Sequence, residues 1–175
     1  MLKGTAIQVD DMRAFYRSVR GSVGAAAILL ALDVGFSGSI LMSTLFCPIW
    51  ILVSLVKSAI HRPGWGLALV RILIPALTLS IVKANDAFQL RVAEANARRV
   101  VAACEEYHAV NGRFPRKLDE LVPQYMNSVP VAKYCLGPWG RFIYSSHSSL
   151  LFWHVVPPHY RKIYNFETRR WSYLD

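Results

Sequence analysis

A run of 36 residues, from Gly21 to Val56, contains a single charged side chain, that of Asp33. As one continuous helix this run would be about 54 Å long, whereas the hydrocarbon core of a bilayer is about 30 Å thick. The run must therefore break, and residues that disfavour helix interiors cluster at one place in it: Asp33, Gly35, Ser37, Gly38 and Ser39. The sequence predicts two membrane helices, about Tyr16–Leu32 and Ile40–Val56, joined by a tight turn.

A third apolar segment extends from Trp65 to Val82. It contains one charged residue, Arg71, and one proline, Pro75, at which we expect a kink. A charged group inside a membrane is a functional candidate, so Asp33 and Arg71 are the candidate intramembrane polar residues, and a pair between them is conceivable. The chain thus divides into an N-terminal segment (residues 1–20), a transmembrane region (21–83) and a C-terminal domain (84–175).

The basic residues of the first half predict the orientation. They form two groups: Lys3, Arg13, Arg17 and Arg20 before the first span, and Lys57, Arg62 and Arg71 around the second loop. Cytoplasmic loops carry an excess of Lys and Arg, so both groups are expected in the cytoplasm, which requires two crossings between them. We therefore expect three spans and an exported C-terminal domain. The alternative is one crossing within residues 21–56, which would leave that domain in the cytoplasm.

The composition argues against two classes of protein. The chain is 54% hydrophobic with a net charge of +9, and its mean hydropathy is +0.29. A disordered chain needs low hydrophobicity together with high charge. Basic nucleic-acid binders do not combine a positive charge with a positive mean hydropathy, so we expect no nucleic-acid partner.

The C-terminal domain is predicted to begin with one long helix, Ala84–Asn111. Six residues recur along it at spacings of three and four, which places them on one face of the helix: Ala93, Ala97, Val100, Cys104, Tyr107 and Asn111. Gly112 follows as a C-cap signal. Because no helix breaker separates this helix from the third span, a single helix can run from the membrane into the domain.

Beyond that helix, the pattern changes to short elements. A helix is predicted over Arg116–Val122, between Pro115 and Pro123. Four segments rich in aromatic and β-branched residues are predicted strands: Phe142–Ser145, Leu150–Val156, Lys162–Phe166 and Arg170–Leu174. Short turns connect them, which favours an antiparallel meander packed on the helix, an α+β fold.

The stretch from Val100 to Tyr144 resembles the major pseudopilin of type II secretion and the wider type IV pilin-like family. The residues that carry the likeness occur in the family's order: Tyr107, then Asn111 and Gly112 with Pro115, then Leu118 and Leu121, then Pro138, Trp139 and Gly140, and finally Tyr144. The resemblance implies a long helix packed on an antiparallel sheet, outside the cytoplasm. It also implies an association with a secretion or pilus-type apparatus.

Two departures limit what the resemblance implies. Pilins begin with a leader and a Gly cleavage point before a helix whose fifth residue is Glu, a pattern that this sequence lacks, so we expect neither leader processing nor ordinary filament assembly. The pseudopilin calcium site uses acidic loop residues, whereas residues 128–156 contain no Asp or Glu. Since Ca²⁺ prefers several oxygen ligands, usually carboxylates, we expect no calcium here.

The cysteines leave two readings open. Cys47 lies in the second predicted span and is interpreted as a packing residue. Cys104 and Cys135 form the only pair in the predicted exported domain. In an oxidising compartment the two could form a disulfide, and the alternative is a buried thiol and an unrelated loop thiol.

Catalytic and ligand-binding patterns give no positive signal. The four histidines of the domain, His108, His147, His154 and His159, lack the spacing of a zinc motif and are interpreted as scattered surface residues. No nucleophile elbow, phosphate-binding loop or dinucleotide fingerprint occurs. We expect no enzymatic activity, no metal, no cofactor and no small-molecule substrate.

The remaining partners are inferred from charge and topology. A basic surface is predicted on the domain from Arg113, Arg116, Lys117, Lys133, Arg141, Arg161, Lys162, Arg169 and Arg170. It is interpreted either as a solvated face or as a contact to anionic headgroups of the bilayer.

Together these features predict a multi-pass protein of the bacterial inner membrane with a periplasmic domain. Its expected role is non-enzymatic interaction with another membrane or periplasmic protein, beside a secretion or pilus-type apparatus. The alternative is a membrane-resident immunity or inhibitor protein that neutralises a toxin.

Overall fold

Three long helices form the first part of the chain in the computed structural model, which describes residues 3–61 and 64–175. Side chains are described for residues 15–17, 19–60 and 64–175. The helices are α1 (Lys3–Leu30), α2 (Leu41–His61) and α3 (Trp65–Asn111). All three are long and apolar enough to cross a membrane, in agreement with the three spans predicted from the sequence.

The predicted break between the first two spans lies where the Gly and Ser residues cluster. A π-helical segment, Ala31–Ser37, continues α1, and Gly38 then adopts a left-handed conformation with φ of 57°. A residue without a Cβ takes that conformation at little cost. The chain reverses there and enters α2, so α1 and α2 form a helical hairpin whose turn is residues 31–40.

The third helix connects the two parts of the molecule. α3 continues through Pro75 and past Val82 without interruption for 47 residues, a length of about 70 Å. Its first half packs against α1 and α2, and its second half packs against the C-terminal sheet. The expectation of one helix shared by both regions is therefore confirmed.

The four predicted strands form one antiparallel meander in the order β1-β2-β3-β4. These strands are β1 (Ile143–Ser145), β2 (Leu150–Val156), β3 (Tyr160–Asn165) and β4 (Arg170–Leu174). β3 begins two residues earlier than predicted. The α+β shape expected for the domain is present.

The short helix predicted over Arg116–Val122 is wrong in extent. The structure forms only a 3₁₀ turn, Leu118–Leu121, while Lys117 and Val122 on either side are extended. Val122 precedes Pro123, and a residue before proline is sterically disfavoured in the helical conformation. The prolines that appeared to frame a helix leave room for a single turn.

The sheet is held on α3 by the face that the residue spacing predicted. Ala93, Ala97, Val100, Cys104 and Tyr107 are all buried. They pack in two clusters with residues of the 3₁₀ turn, the loops and the sheet, among them Leu121, Ala132, Leu151, Trp153, Tyr164 and Phe166. The sixth residue of that face, Asn111, is exposed, and its side chain donates to the hydroxyl of Tyr125.

Candidate functional site

The turn of the helical hairpin packs directly on a loop of the C-terminal domain. The backbone N–H of Leu136 donates to the carbonyl of Gly35 at 2.9 Å, and that of Gly137 donates to the carbonyl of Phe36 at 3.0 Å. Carbonyls at a helix C-terminus lack partners within the helix, so this loop supplies them. We call this contact between residues 31–40 and residues 133–140 the junction.

Asp33 is a buried residue of the hairpin turn that links the end of α1 to the start of α2. Its side chain is fully buried, and its carboxylate accepts hydrogen bonds from the backbone N–H groups of Met42 at 3.1 Å and Ser43 at 2.6 Å. These are unpaired donors of the first turn of α2, where the helix dipole also favours a negative charge. The candidate intramembrane carboxylate therefore acts as the N-terminal cap of the second helix.

Arg71 lies far from this cap. Asp86 of α3 is close to Asp33 and Lys133. Arg71 precedes Asp86 by 15 residues of the same continuous helix, which corresponds to about 22 Å. The structure therefore does not bring Arg71 and Asp33 together. Arg17 precedes Asp33 by 16 residues along α1, and Lys57 follows Leu41 by 16 residues along α2. Each is therefore about 24 Å from the turn along its helix. With Arg71 they form a basic band at one depth, near the opposite end of the hairpin.

Lys133 ties three segments together at the junction. Its Nζ donates to the carbonyl of Gly38 at 3.0 Å and to that of Val155 in β2 at 2.6 Å. Only 1% of the residue is exposed, so its assignment to the basic surface is wrong. Burial lowers the pKa of the Lys133 ammonium, and the nearby Asp86 carboxylate opposes that shift. The two carbonyls are the partners that a buried ammonium requires.

Gln89 joins the same loop to α3. Its Nε2 donates to the carbonyl of Tyr134 at 2.9 Å, and its Oε1 accepts from the N–H of Tyr134 at 2.9 Å. The side-chain amide of Gln89 thus pairs both its donor and its acceptor with the backbone of Tyr134. This side chain is 3% exposed and fixes the loop against the helix at the level of the hairpin turn.

The Pro-Trp-Gly residues of the family likeness form part of the junction. A Cβ at Gly137 would collide with the carbonyl oxygen of Phe36, and a Cβ at Gly140 would lie 2.8 Å from the carbonyl oxygen of Lys133. The close backbone approach therefore depends on glycine at both positions. Pro138–Gly140 forms a 3₁₀ turn between them.

The ring of Trp139 packs edge-on against His154, with 4.9 Å between the ring centroids. His154 is 7% exposed, which corrects its interpretation as a surface histidine. Burial lowers the pKa of its imidazole, and the charges of Arg161 and Lys133 lower it further. His154 is therefore a neutral packing partner of Trp139 at neutral pH.

The other family-motif residues meet at the far end of α3. The hydroxyl of Tyr107 donates to Oε2 of Glu120 at 2.8 Å, and this hydrogen bond lowers the pKa of the Glu120 carboxyl. Asn111 donates to the hydroxyl of Tyr125 at 3.1 Å. Tyr144 donates to the carbonyl of Pro115 at 2.8 Å.

The apolar and small members of the motif complete that arrangement. Leu121 is fully buried, and Leu118 packs against the same core cluster. Gly112 ends α3 in a left-handed conformation with φ of 68°. In this region, the motif residues have packing and hydrogen-bonding roles.

The possible disulfide between Cys104 and Cys135, one of the two interpretations left open by the sequence, is not formed, and both thiols are free. Cys104 lies in the core beneath the sheet, whereas Cys135 lies beside Gly38 at the junction. Tyr134, the residue before Cys135, is hydrogen-bonded to Gln89 of α3. Gln89 precedes Cys104 by 15 residues, which corresponds to about 22 Å of helix. A disulfide requires Cα atoms within about 7 Å, so the fold separates the two thiols too far.

Metal chemistry has no visible basis in residues 3–61 and 64–175, where no group of three or more His, Cys, Asp or Glu residues could hold an ion. An apolar cavity of about 290 Å³ does lie at the junction, between the hairpin turn, Trp139 and the Pro157–Pro158 pair. Its position beside the turn makes it part of the contact between helices and domain.

Sequence reasoning missed Gln89 and Lys133 as junction residues. Gln89 precedes Ala93 by four residues and so continues the buried face of α3 toward the membrane, a signal that could have identified it. For Lys133 no local signal exists, since a lysine in a loop is ordinarily solvated.

Comparisons with family models, with curated proteins and with solved structures found no match to this chain. The likeness to pseudopilins therefore rests on the sequence motifs alone.

We predict that Asp33→Ala loosens the junction. The loss of a helix cap costs about 0.5–2 kcal/mol, and the released turn should expose the half-buried thiol of Cys135. Maleimide labelling of Cys135 in the membrane-embedded protein should accelerate about tenfold, since about 1.4 kcal/mol corresponds to a factor of ten. Asp33→Asn keeps one acceptor oxygen and serves as the matched control with a smaller increase. Equal labelling rates in all three proteins would contradict the capping role.

We also predict that Cys104 and Cys135 stay reduced under oxidising conditions. Burial, with a smaller contribution from Glu105, raises the pKa of the Cys104 thiol to about 12, so little reactive thiolate exists at neutral pH. Mass spectrometry after alkylation, with and without reductant, should find no linked Cys104–Cys135 peptide. Cys104 should be alkylated only after denaturation. A quantitative linked peptide from the native protein would refute the structural assignment of both thiols.

Proposed function

We propose that this chain is a non-enzymatic protein of the bacterial inner membrane that holds a pseudopilin-like interaction domain permanently on the periplasmic side. Its role would be accessory to a secretion or pilus-type apparatus. The observation that carries the proposal is the junction, in which the turn of a helical hairpin is bonded to the domain.

The geometry of the helices supports an exported domain. The hairpin turn and the C-terminal domain lie at one end of α1, α2 and α3, and the basic band of Arg17, Lys57 and Arg71 lies about 22–24 Å away along the helices. Because Lys and Arg favour the cytoplasmic side of a membrane, this band would mark the cytoplasmic boundary. The end that carries the domain would then face the periplasm.

The junction also supports permanent anchoring. α3 belongs to both the membrane region and the domain core, and the domain is additionally bonded to the hairpin through Leu136, Gly137 and Lys133. Moving the domain away from the membrane would break these contacts and extract three apolar helices. An anchor of this kind suits a fixed partner of an apparatus better than a subunit that leaves the membrane to enter a filament.

The chemistry of the domain supports interaction over catalysis. Two of its side chains with potentially reactive groups, Cys104 and Tyr144, pack in the core. Burial raises the pKa of each to about 12, so both stay protonated at neutral pH. The Glu120 carboxylate accepts the Tyr107 hydrogen bond, and the Lys133 ammonium is held between two carbonyls. These groups stabilise the fold.

Topology mapping tests the proposal. A reporter active only in the periplasm, fused after Asp175, should be active, and a reporter active only in the cytoplasm should be inactive at the same position. Fusions of both reporters inserted between His61 and Trp65 should give the reverse pattern. Cytoplasmic activity after Asp175 would refute export of the domain.

Gene neighbours distinguish the proposed role from that of an immunity protein. Genes for secretion or pilus components beside this one would favour the accessory role, and a secretion defect on deletion would support it. A neighbouring toxin gene, with deletion lethal only in the presence of the toxin, would favour the immunity role instead.

A further inference from the structure

A groove of about 510 Å³ opens on the domain away from the junction. One wall is the segment that contains Arg116 and Lys117, just before the 3₁₀ turn Leu118–Leu121. The opposite wall is the start of the sheet, with Arg141, Phe142 and Tyr144, and the loop at Pro130 closes one end. The groove lies outside the contacts that join the domain to the hairpin.

The groove combines an apolar interior with a basic rim. Phe142 and Tyr144 are only partly exposed and line it with aromatic surface, whereas Arg116, Lys117 and Arg141 are exposed around it. Within the described part of the chain, none of these three cations forms an ion pair. Asp119 is the one acidic residue in its lining. The three cations and one carboxylate of the lining leave a net charge of +2, which suits an acidic ligand.

The groove runs beside a free edge of the sheet. β1 pairs only with β2 in the meander and forms one of its two edges. An edge strand offers backbone donors and acceptors to a further extended segment, and neighbouring pockets then select its alternate side chains. An extended peptide can thus place apolar side chains in the groove and acidic side chains at its rim.

The position of the groove disfavours lipid headgroups as the ligand. The carbonyl of Val131, on the groove lining, accepts a hydrogen bond from Asn96 of α3 at 2.9 Å. Asn96 lies 14 residues beyond Val82, the end of the apolar part of α3, which corresponds to about 21 Å. The headgroup layer on each side of a bilayer is only about 5–8 Å thick. The groove is therefore beyond its reach.

We propose that this groove binds an extended segment of a partner protein in which acidic and apolar residues alternate. The inference deepens the proposed function, because it identifies the class of partner that the anchored domain would hold. It also identifies Arg116, Lys117 and Arg141 as the residues that set the charge preference.

Peptide binding to the full-length protein in nanodiscs of neutral lipid tests this proposal. The probe is a fluorescein-labelled hexapeptide of alternating Glu and Val, measured by fluorescence anisotropy up to about 1 mM, and a Lys-Val hexapeptide is the control. The Glu-Val peptide should bind and the Lys-Val peptide should not. Arg141→Glu and Lys117→Glu should each weaken binding about tenfold at low salt, because a repulsive charge replaces an attractive one.

Arg98→Glu is the matched control variant, since Arg98 is also exposed but lies on α3 outside the groove. It should leave the affinity unchanged, and circular dichroism should show native folding of all three variants. Lack of Glu-Val binding, or equal loss in Arg98→Glu, would overturn the proposal. So would charge-dependent binding to vesicles that contain phosphatidylglycerol with no binding of the peptide. A domain located in the cytoplasm would contradict the proposed function while leaving peptide binding intact, so the two failures are distinguishable.

Discussion

The unpaired backbone groups at the turn of the helical hairpin are the constraint on which the rest of the structure depends. Buried polar backbone groups are costly unless the protein satisfies them. The Asp33 carboxylate accepts hydrogen bonds from the N–H groups at the start of α2. The N–H groups of Leu136 and Gly137 donate to the last carbonyls before the turn, and the Lys133 ammonium donates to the carbonyl of Gly38. Two of these three solutions come from the junction loop of the domain, so satisfying the turn also fixes the domain against it.

This arrangement makes the two ends of the helical region different from each other. The hairpin turn, the junction loop and the sheet lie at one end, whereas the basic band at Arg17, Lys57 and Arg71 lies at the other. In the proposed function, the anchor would hold the domain at a constant height above the bilayer. The groove beside β1 lies about 20 Å farther along α3 than Val82, the end of its apolar part. A surface held at that distance is suited to a protein partner.

The features predicted from the sequence are those that depend on local patterns. The break near Asp33 follows from clustered Gly and Ser residues, the long α3 from the absence of a breaker near Val82, and the meander from four aromatic segments with short turns. Contacts between distant segments could not be predicted. Cys104 and Cys135 looked like a pair in the sequence, but 22 Å of helix separates their levels. Lys133 looked like a surface cation because only the folded chain brings the carbonyls of Gly38 and Val155 to it.

An engineered disulfide tests the junction most directly. A Cβ built at Gly38 lies 3.2 Å from the Cβ of Cys135, a few tenths of an ångström below the range of about 3.5–4.5 Å in disulfides, so a small shift brings the pair into range. We predict that Gly38→Cys, although its left-handed conformation costs about 1–2 kcal/mol, forms a linked 38–135 peptide in native membranes under mild oxidation. Gly64→Cys, at the opposite end of α3, should form no link to Cys135. Independent labelling of residues 38 and 135, with no linked peptide under oxidation, would contradict the account.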